Sequence, residues 1–171
     1  MTKQKFVVGA LAAAVLFGVS CSDDFPTLSS KAPPRQEFVA DLTPDKERPN
    51  PATGVNSKGT SNVTILDTNL IRVETIVSTI DSVTQSHIHA GDANTAGPIM
   101  VFLLSNVAAG RAPITGTDRT LSVVSINRAT TFLSPFTFDS LMTRIKNGTA
   151  YTNVHTRRYP GGEIRGQIVP K

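Results

Sequence analysis

Val83-Thr-Gln-Ser-His-Ile-His-Ala90 is predicted to form a β-strand, and it carries two of the three histidines of this 171-residue chain. Side chains two residues apart lie on the same face of a strand, so we expect His87 and His89 side by side. The third histidine, His155, lies in a second predicted strand, residues 150–156. If the two strands face each other, three imidazoles converge, and such a ligand set suits zinc or copper.

Alternating and β-branched stretches predict more strands on both sides of these two. Residues 60–66 and 70–80 are joined by Asp67-Thr-Asn69, which predicts a hairpin. The continuous apolar run 98–105 predicts a strand at or near the centre of a sheet. The remaining strands are expected at residues 36–43, 119–127 and 163–169.

Residues 138–147 have a different pattern, with apolar side chains on one face of a helix. Thr137 or Asp139 is suited to cap the start of this helix, and Asn147-Gly148 to end it. Seven or eight strands with a single short helix predict an all-β antiparallel sandwich or barrel.

Three motifs taken together resemble the CHRD domain, the repeat named after chordin. They are His-Ile-His-Ala-Gly-Asp (87–92), Asn-Val-His-Thr (153–156) and Gly-Gly-Glu-Ile-Arg-Gly-Gln-Ile (161–168). Glu-Phe-Val-Ala-Asp-Leu (37–42) resembles the opening strand of that domain, so the likeness covers roughly residues 36–169. The resemblance implies an immunoglobulin-like β fold with a limited likeness to copper/zinc superoxide dismutase. It implies a fold more directly than an activity, because the family has no settled one.

The histidine count argues against dismutase chemistry. That enzyme binds copper through four histidines and also builds a zinc site, whereas this chain has three histidines in all. A dinuclear site cannot be built within one chain, so a fold without the enzyme's chemistry is the better interpretation. The sequence also lacks a phosphate-binding loop and a nucleophile elbow. We therefore expect the protein to bind a partner rather than to catalyse a reaction.

Acidic residues near the histidines are candidates for the outer part of a metal site. Asp92 or Glu163 is expected to complete the ligand shell or to orient an imidazole. Arg165 lies two residues after Glu163 on the same strand, which predicts a structural ion pair between them.

A structural role for the histidines is the alternative to a metal site. His155 has the backbone of the turn at 157–162 within reach, and the other two histidines have Asp92, Thr156 and Glu163. In that interpretation the imidazoles fix turns by hydrogen bonding and the domain binds no metal.

The first 21 residues have the pattern of a lipoprotein signal peptide. Lys3 and Lys5 precede an apolar run at 6–17, which is too short to span a bilayer comfortably. Small residues then precede Cys21, the single cysteine of the chain, which we expect to be lipidated. An ordinary secretory signal cut nearby is the alternative.

Residues 22–35 predict a flexible polar tether, and 36–171 form the domain. Ser22 after the cysteine favours the outer membrane, and Cys-Ser-Asp-Asp-Phe (21–25) is similar to a signal that exports some lipoproteins to the cell surface. We therefore expect an outer-membrane lipoprotein that faces the periplasm or the exterior. Its membrane contact is the N-terminal lipid anchor, and its partner is an unidentified envelope or extracellular protein or polymer.

The charge of the chain does not indicate a nucleic-acid partner. The chain has 17 basic and 13 acidic side chains, and without Lys3 and Lys5 the balance is 15 against 13, or +2. The sequence thus predicts an envelope-associated binding module with no certain cofactor. The alternative is a mononuclear copper or zinc protein, including a redox-active one, that uses His87, His89 and His155.

Overall fold

The structure, a computed structural model, describes residues 34–50, 56–107, 109–116 and 118–171. The predicted signal peptide with Cys21, and the tether up to residue 33, lie outside the described residues. The elements are β1 (Gln36–Leu42), a 3-10 helix (Pro44–Lys46), β2 (Lys58–Ile65), β3 (Leu70–Ser78), β4 (Val83–Ala90), β5 (Ile99–Leu104), β6 (Arg119–Asn127), α1 (Phe138–Lys146), β7 (Ala150–Thr156), β8 (Ile164–Gln167) and β9 (Val169–Pro170).

The strands form two antiparallel sheets. One has the order β6-β3-β2-β1-β9 and the other the order β5-β4-β7-β8. The all-β antiparallel prediction is confirmed, and of its two alternatives the structure is the sandwich. Strands β4 and β7 are neighbours in the four-stranded sheet, which brings the two histidine-bearing segments together.

The core lies between the sheets, and every second side chain of a strand enters it. β1 contributes Phe38, Ala40 and Leu42, while β4 and β7 contribute Ile88 and Val154. Full burial of an Ile, Leu or Val side chain stabilises the fold by about 1.5–3 kcal/mol. With no disulfide inside the described domain, this apolar layer holds the two sheets together.

The predicted hairpin of β2 and β3 is confirmed. Its pairing runs without a shift from Lys58 opposite Ser78 to Ile65 opposite Ile71. The Asn69 backbone N–H donates to Asp67 Oδ1 at 2.6 Å, which closes the turn.

The apolar run at 98–105 forms β5, but the prediction that it is central is wrong. β5 is an edge strand of the four-stranded sheet. Its burial comes from a loop outside the sheet, since the Leu133 N–H donates to Met100 O at 3.0 Å and Phe132 packs against the core. Met100, Val101 and Leu103 are therefore buried although the strand is at an edge, while Phe102 is 37% exposed, and hydropathy alone does not separate this case from a central strand.

The single α-helix of the described residues lies where the sequence predicts it. Thr137 is the cap, because its side chain accepts the Ser140 N–H while the Ser140 hydroxyl accepts the Thr137 N–H, a reciprocal capping box. Phe138, Leu141 and Ile145 form its buried face. In the part of the chain that the structure describes, no helix has the length and hydropathy needed to cross a bilayer.

Candidate metal centre

The three histidines lie on the face of the four-stranded sheet that points away from the sandwich core. Ile88 and Val154 enter the core, so the alternate positions of β4 and β7 face outward. On that outer face Gln85 pairs with His155, His87 with Asn153, and His89 with Tyr151. All of these side chains except the half-buried Gln85 are nevertheless buried, because the turns at 91–98 and 157–163 contact the cluster from outside.

One nitrogen of each imidazole points to a common centre. His87 Nδ1 lies 3.1 Å from His155 Nε2 and 3.4 Å from His89 Nε2. The potential ligand atoms of the three residues all lie within 4.8 Å of one another. Three nitrogens bound to one ion at about 2.0–2.1 Å are separated by similar distances. The predicted convergence of His87, His89 and His155 is therefore confirmed as geometry.

The opposite nitrogen of two of these rings is held by a main-chain carbonyl. His89 Nδ1 donates to Gly97 O at 2.8 Å, and His155 Nδ1 donates to Pro160 O at 2.9 Å. A carbonyl oxygen can only accept, so each of these nitrogens carries the hydrogen. In a neutral imidazole the other nitrogen then has a free lone pair. The inward nitrogens of His89 and His155 are thus unprotonated acceptors, which is the state that binds a metal.

His87 is the ring whose tautomer can change. Its Nε2 lies 3.2 Å from the Gln85 side-chain amide, which can present either its oxygen or its nitrogen. With the amide nitrogen toward the ring, His87 carries its hydrogen on Nδ1 and donates to His155 Nε2. With the amide oxygen toward the ring, Nδ1 becomes a third inward lone pair. The structure has the amide oxygen toward the ring, and rotation of the Gln85 amide exchanges the two tautomers of His87.

Asn153 adds an oxygen to the three nitrogens. Its Oδ1 lies 3.0 Å from His155 Nε2, so two acceptors face each other when His155 donates to Pro160. A cation between them removes that repulsion, and four donors are the number that zinc takes in proteins. The Asn153 amide also lies beside Glu47, where it lowers the pKa of this carboxyl against the larger raising effect of burial.

Aromatic rings and a guanidinium pack around the histidines. His89 stacks on Tyr151 with ring centroids 4.9 Å apart and an angle of 13°. The edge of Phe102 meets His87 at 4.6 Å. The guanidinium carbon of Arg165 lies 3.4 Å from the centroid of the Tyr151 ring, on which it forms a cation–π contact. These contacts hold the rings in place and keep water from most of their surface.

Burial keeps the histidines neutral. It lowers the pKa of His87 to about 3, assisted by the neighbouring His155 and His89. Burial also lowers the pKa of His89 to about 4, although the hydrogen bond to the Gly97 carbonyl raises it. Burial lowers the pKa of His155 in the same way, although the hydrogen bond to the Pro160 carbonyl raises it. Protonated imidazole cannot ligate a metal, so all three rings are in the ligating form at neutral pH, and His87 and His89 remain in it at mildly acidic pH.

The acidic side chains that the sequence pointed to do not touch the imidazoles. Asp92 Oδ1 accepts hydrogen bonds from Asn94 and Thr95, so its carboxylate closes its own turn. Glu163 accepts from the hydroxyls of Ser57 and Thr156. Neither carboxylate orients an imidazole in the structure, because the main-chain carbonyls of Gly97 and Pro160 hold His89 and His155 instead.

Arg165 also differs from its prediction. Among the described residues it forms no ion pair with Glu163. Its Nη2 donates to the carbonyls of Asp92 and Thr95, so it supports the 91–97 loop. Because that loop carries Gly97, Arg165 stabilises the position of His89 indirectly.

Gln85, Tyr151 and Asn153 were not identified from the sequence, although a signal for them was present. Gln85 and Asn153 lie two residues from a histidine on β4 or β7, and Tyr151 lies four residues from His155, so all three share the strand face of the histidines. The hydrogen bond from His155 to the 157–162 turn, in contrast, matches the structural role that the sequence suggested.

Gly97→Ala is expected to destabilise the domain by about 2 kcal/mol and to weaken any metal binding. A Cβ at this position would lie 1.6 Å from Ala90 O, so the loop must move, as in other overpacked sites. The movement shifts the carbonyl that holds His89 and breaks the hydrogen bond from the Gly97 N–H to Tyr151 Oη. Urea unfolding measures the loss. Gly161→Ala is the matched control, because its added Cβ meets nothing within 4 Å. Equal stability of the two variants would contradict the assignment of Gly97 as an anchor.

Comparison with known proteins gives one match. The family model of the CHRD domain matches residues 38–168, which include every residue of the histidine cluster and both turns that cover it. No curated protein and no solved structure matches the chain.

Proposed function

The chain belongs to the CHRD domain family, and we propose that its sandwich is a binding module that holds one zinc or copper ion through His87, His89 and His155. The observation that carries the proposal is the orientation of the rings. His89 and His155 donate their only hydrogen outward to carbonyl oxygens, and their lone pairs point at a shared centre. A cation at that centre satisfies both lone pairs at once.

The donor set limits the choice of metal. Imidazole nitrogen suits zinc, copper, nickel and iron, whereas calcium and magnesium prefer oxygen ligands. We propose that the Asn153 oxygen is the fourth donor, which makes a closed four-donor site. Such a site fits a structural or carrier role better than a catalytic one, because catalytic zinc keeps a position for water. The proposal is therefore metal-dependent binding with no reaction assigned.

Metal uptake by the full chain tests the proposal directly. The protein is stripped with a chelator, dialysed against zinc or copper at pH 7, and its metal content is measured. We expect one ion per chain, with tighter retention than that of magnesium or calcium. A chain that returns free of zinc and copper leaves the histidines as structural hydrogen-bonders, and the domain is then a metal-free binding module.

We further propose that this module is held at the outer membrane by a lipid on Cys21, with an envelope or extracellular polymer or protein as its partner. The support is the basic, apolar and small-residue pattern before Cys21 and the polar tether after it. Two acyl chains anchor a domain stably, while a single chain does not.

Cys21→Ala is expected to leave the precursor uncleaved or to release the protein from the membrane fraction. The variant removes the thiol that receives the lipid, and fractionation followed by mass determination measures both outcomes. Cys21→Ser is the sterically matched control for the loss of sulfur and should behave like the alanine variant. A Cys21→Ala protein that is processed and retained like the unaltered one argues for an ordinary secretory signal.

A further inference from the structure

A small cavity of about 270 Å³ has Arg165 in its lining; three of its seven lining residues are basic, and most of its wall surface is apolar. Lys46, Arg48 and Arg165 line it, and Asp41 is the one acidic side chain in its lining. The lining thus has three basic side chains and one acidic side chain. Low-dielectric walls strengthen the field of such a group.

Arg165 carries a buried charge that the described residues do not pair. Its side chain is 1% exposed, and Nη1 has no hydrogen-bond partner. Nη2 donates to two neutral carbonyls, and no described carboxylate oxygen lies within 4.0 Å of the guanidinium. Burial of a cation without a hydrogen-bonded anion costs folding free energy. The described residues alone therefore leave the charge of Arg165 without an anionic partner.

Main-chain carbonyls hold Lys46 and Arg48 near this charge, and some of their N–H donors remain without a described partner. Lys46 Nζ donates to Asp41 O at 2.8 Å, and Arg48 Nη1 donates to Asp45 O at 2.7 Å. Arg48 also donates from Nη1 to Glu47 O, which leaves its Nη2 and Nε without a described partner. The positive side chains are therefore fixed in place by groups that do not neutralise them.

Glu47 is the nearest candidate for an internal counter-ion, and it does not fill this role in the structure. Its Oε1 accepts the Arg48 backbone N–H, and its Oε2 is buried without a partner. Burial is the largest influence on its carboxyl and raises its pKa, while the charge of Arg165 lowers it, and no hydrogen bond or ion pair joins the two side chains.

We propose that this cavity binds a small oxyanion, which is held by Lys46, Arg48 and Arg165. The planar guanidinium groups match the paired oxygens of a carboxylate, phosphate or sulfate, and charge-assisted hydrogen bonds are the strong ones. The anion places a negative charge beside the buried Arg165, while Lys46 and Arg48 supply the more accessible donors. The site is separate from the proposed metal site, because Tyr151 lies between Arg165 and His89.

Thermal unfolding of the full chain in the presence of chelator tests the proposal independently of metal. Inorganic phosphate, sulfate and acetate are compared with chloride at equal ionic strength and pH 7. We expect a saturable rise in Tm with at least one of the three oxyanions, because a ligand bound only by the folded state stabilises it. The oxyanion that raises Tm at the lowest concentration shows which shape the site prefers: phosphate and sulfate are tetrahedral, and the carboxylate of acetate is planar.

Arg48→Ala is expected to weaken the apparent affinity for that anion by about tenfold or more, since it removes one of three positive contacts. Lys58→Ala is the control for a change in net charge, because Lys58 is exposed and does not line the cavity. Equal responses of the two variants, or no saturable response of the unaltered protein, overturn the proposal. A response that appears only in Glu47→Gln also overturns it, because Glu47 is then the counter-ion in the native protein.

Discussion

His155→Ala is expected to lower the affinity of the protein for zinc or copper by at least about 100-fold. Loss of a group that merely orients a metal-bound histidine costs about 10–100-fold, so loss of a ligand should cost more. His155 is also central to the cluster, since its Nε2 lies 3.1 Å from His87 Nδ1 and 3.0 Å from Asn153 Oδ1. Competition with a chromogenic chelator measures the affinity.

The same variant separates a metal ligand from a structural hydrogen-bonder. Metal at about 100 times its dissociation constant should stabilise the unaltered protein by roughly 2.7 kcal/mol, and His155→Ala should lack this increment. Thr152→Val is the matched control, because Thr152 is buried on the same strand, points to the opposite face, and has a hydroxyl without a partner. A His155→Ala protein that loses equal stability with and without metal would show that the ring acts only through its bond to Pro160.

The metal-free protein is expected to lose stability steeply as the pH falls from about 6.5 to 4. The unfolded chain protonates its histidines near pH 6.5, whereas the folded-state pKa is about 3 for His87 and about 4 for His89. Between these limits the unfolded state binds more protons, so stability is complete above pH 6.5 and falls with the pH. Each fully shifted group contributes about 1.4 kcal/mol per pH unit, and the summed loss is on the order of several kcal/mol.

Urea unfolding in chelator at several pH values between 7.5 and 4.5 measures this loss. His87→Gln, which does not titrate in this range, should show a slope shallower by about one proton. Glu47 acts in the opposite direction, because its raised folded-state pKa favours the folded protein at the acidic end of the range. A flat profile, or equal slopes for His87→Gln and the unaltered protein, would mean that water reaches the rings.

The sequence was informative where a local pattern determines the structure. Strands β4 and β6 have the predicted bounds, and α1 begins after the predicted cap Thr137, because alternation and capping are local signals. The convergence of the histidines followed from the pairing of two strands. The position of β5 did not follow, since an edge strand covered by the Leu133 segment has the hydropathy of a central one.

The surroundings of the histidines were harder to predict than the histidines themselves. Acidic side chains were expected to hold the rings, because carboxylates are the visible partners in a sequence. The carbonyls of Gly97 and Pro160 do so instead, and every residue has a carbonyl. Which carbonyl reaches a ring depends on how two turns fold over the sheet, and this is a tertiary property that no short motif encodes.

The placement of the histidines on the outward face of the sheet separates the histidine cluster from the apolar core between the sheets. The apolar side chains of β4 and β7 that join the sheets point the other way, so a change in the cluster leaves that layer intact. Neither covering turn contributes a side chain to the apolar core between the sheets. Different sets of polar side chains can therefore occupy this outer face, beneath different loops, without a change in the apolar interior.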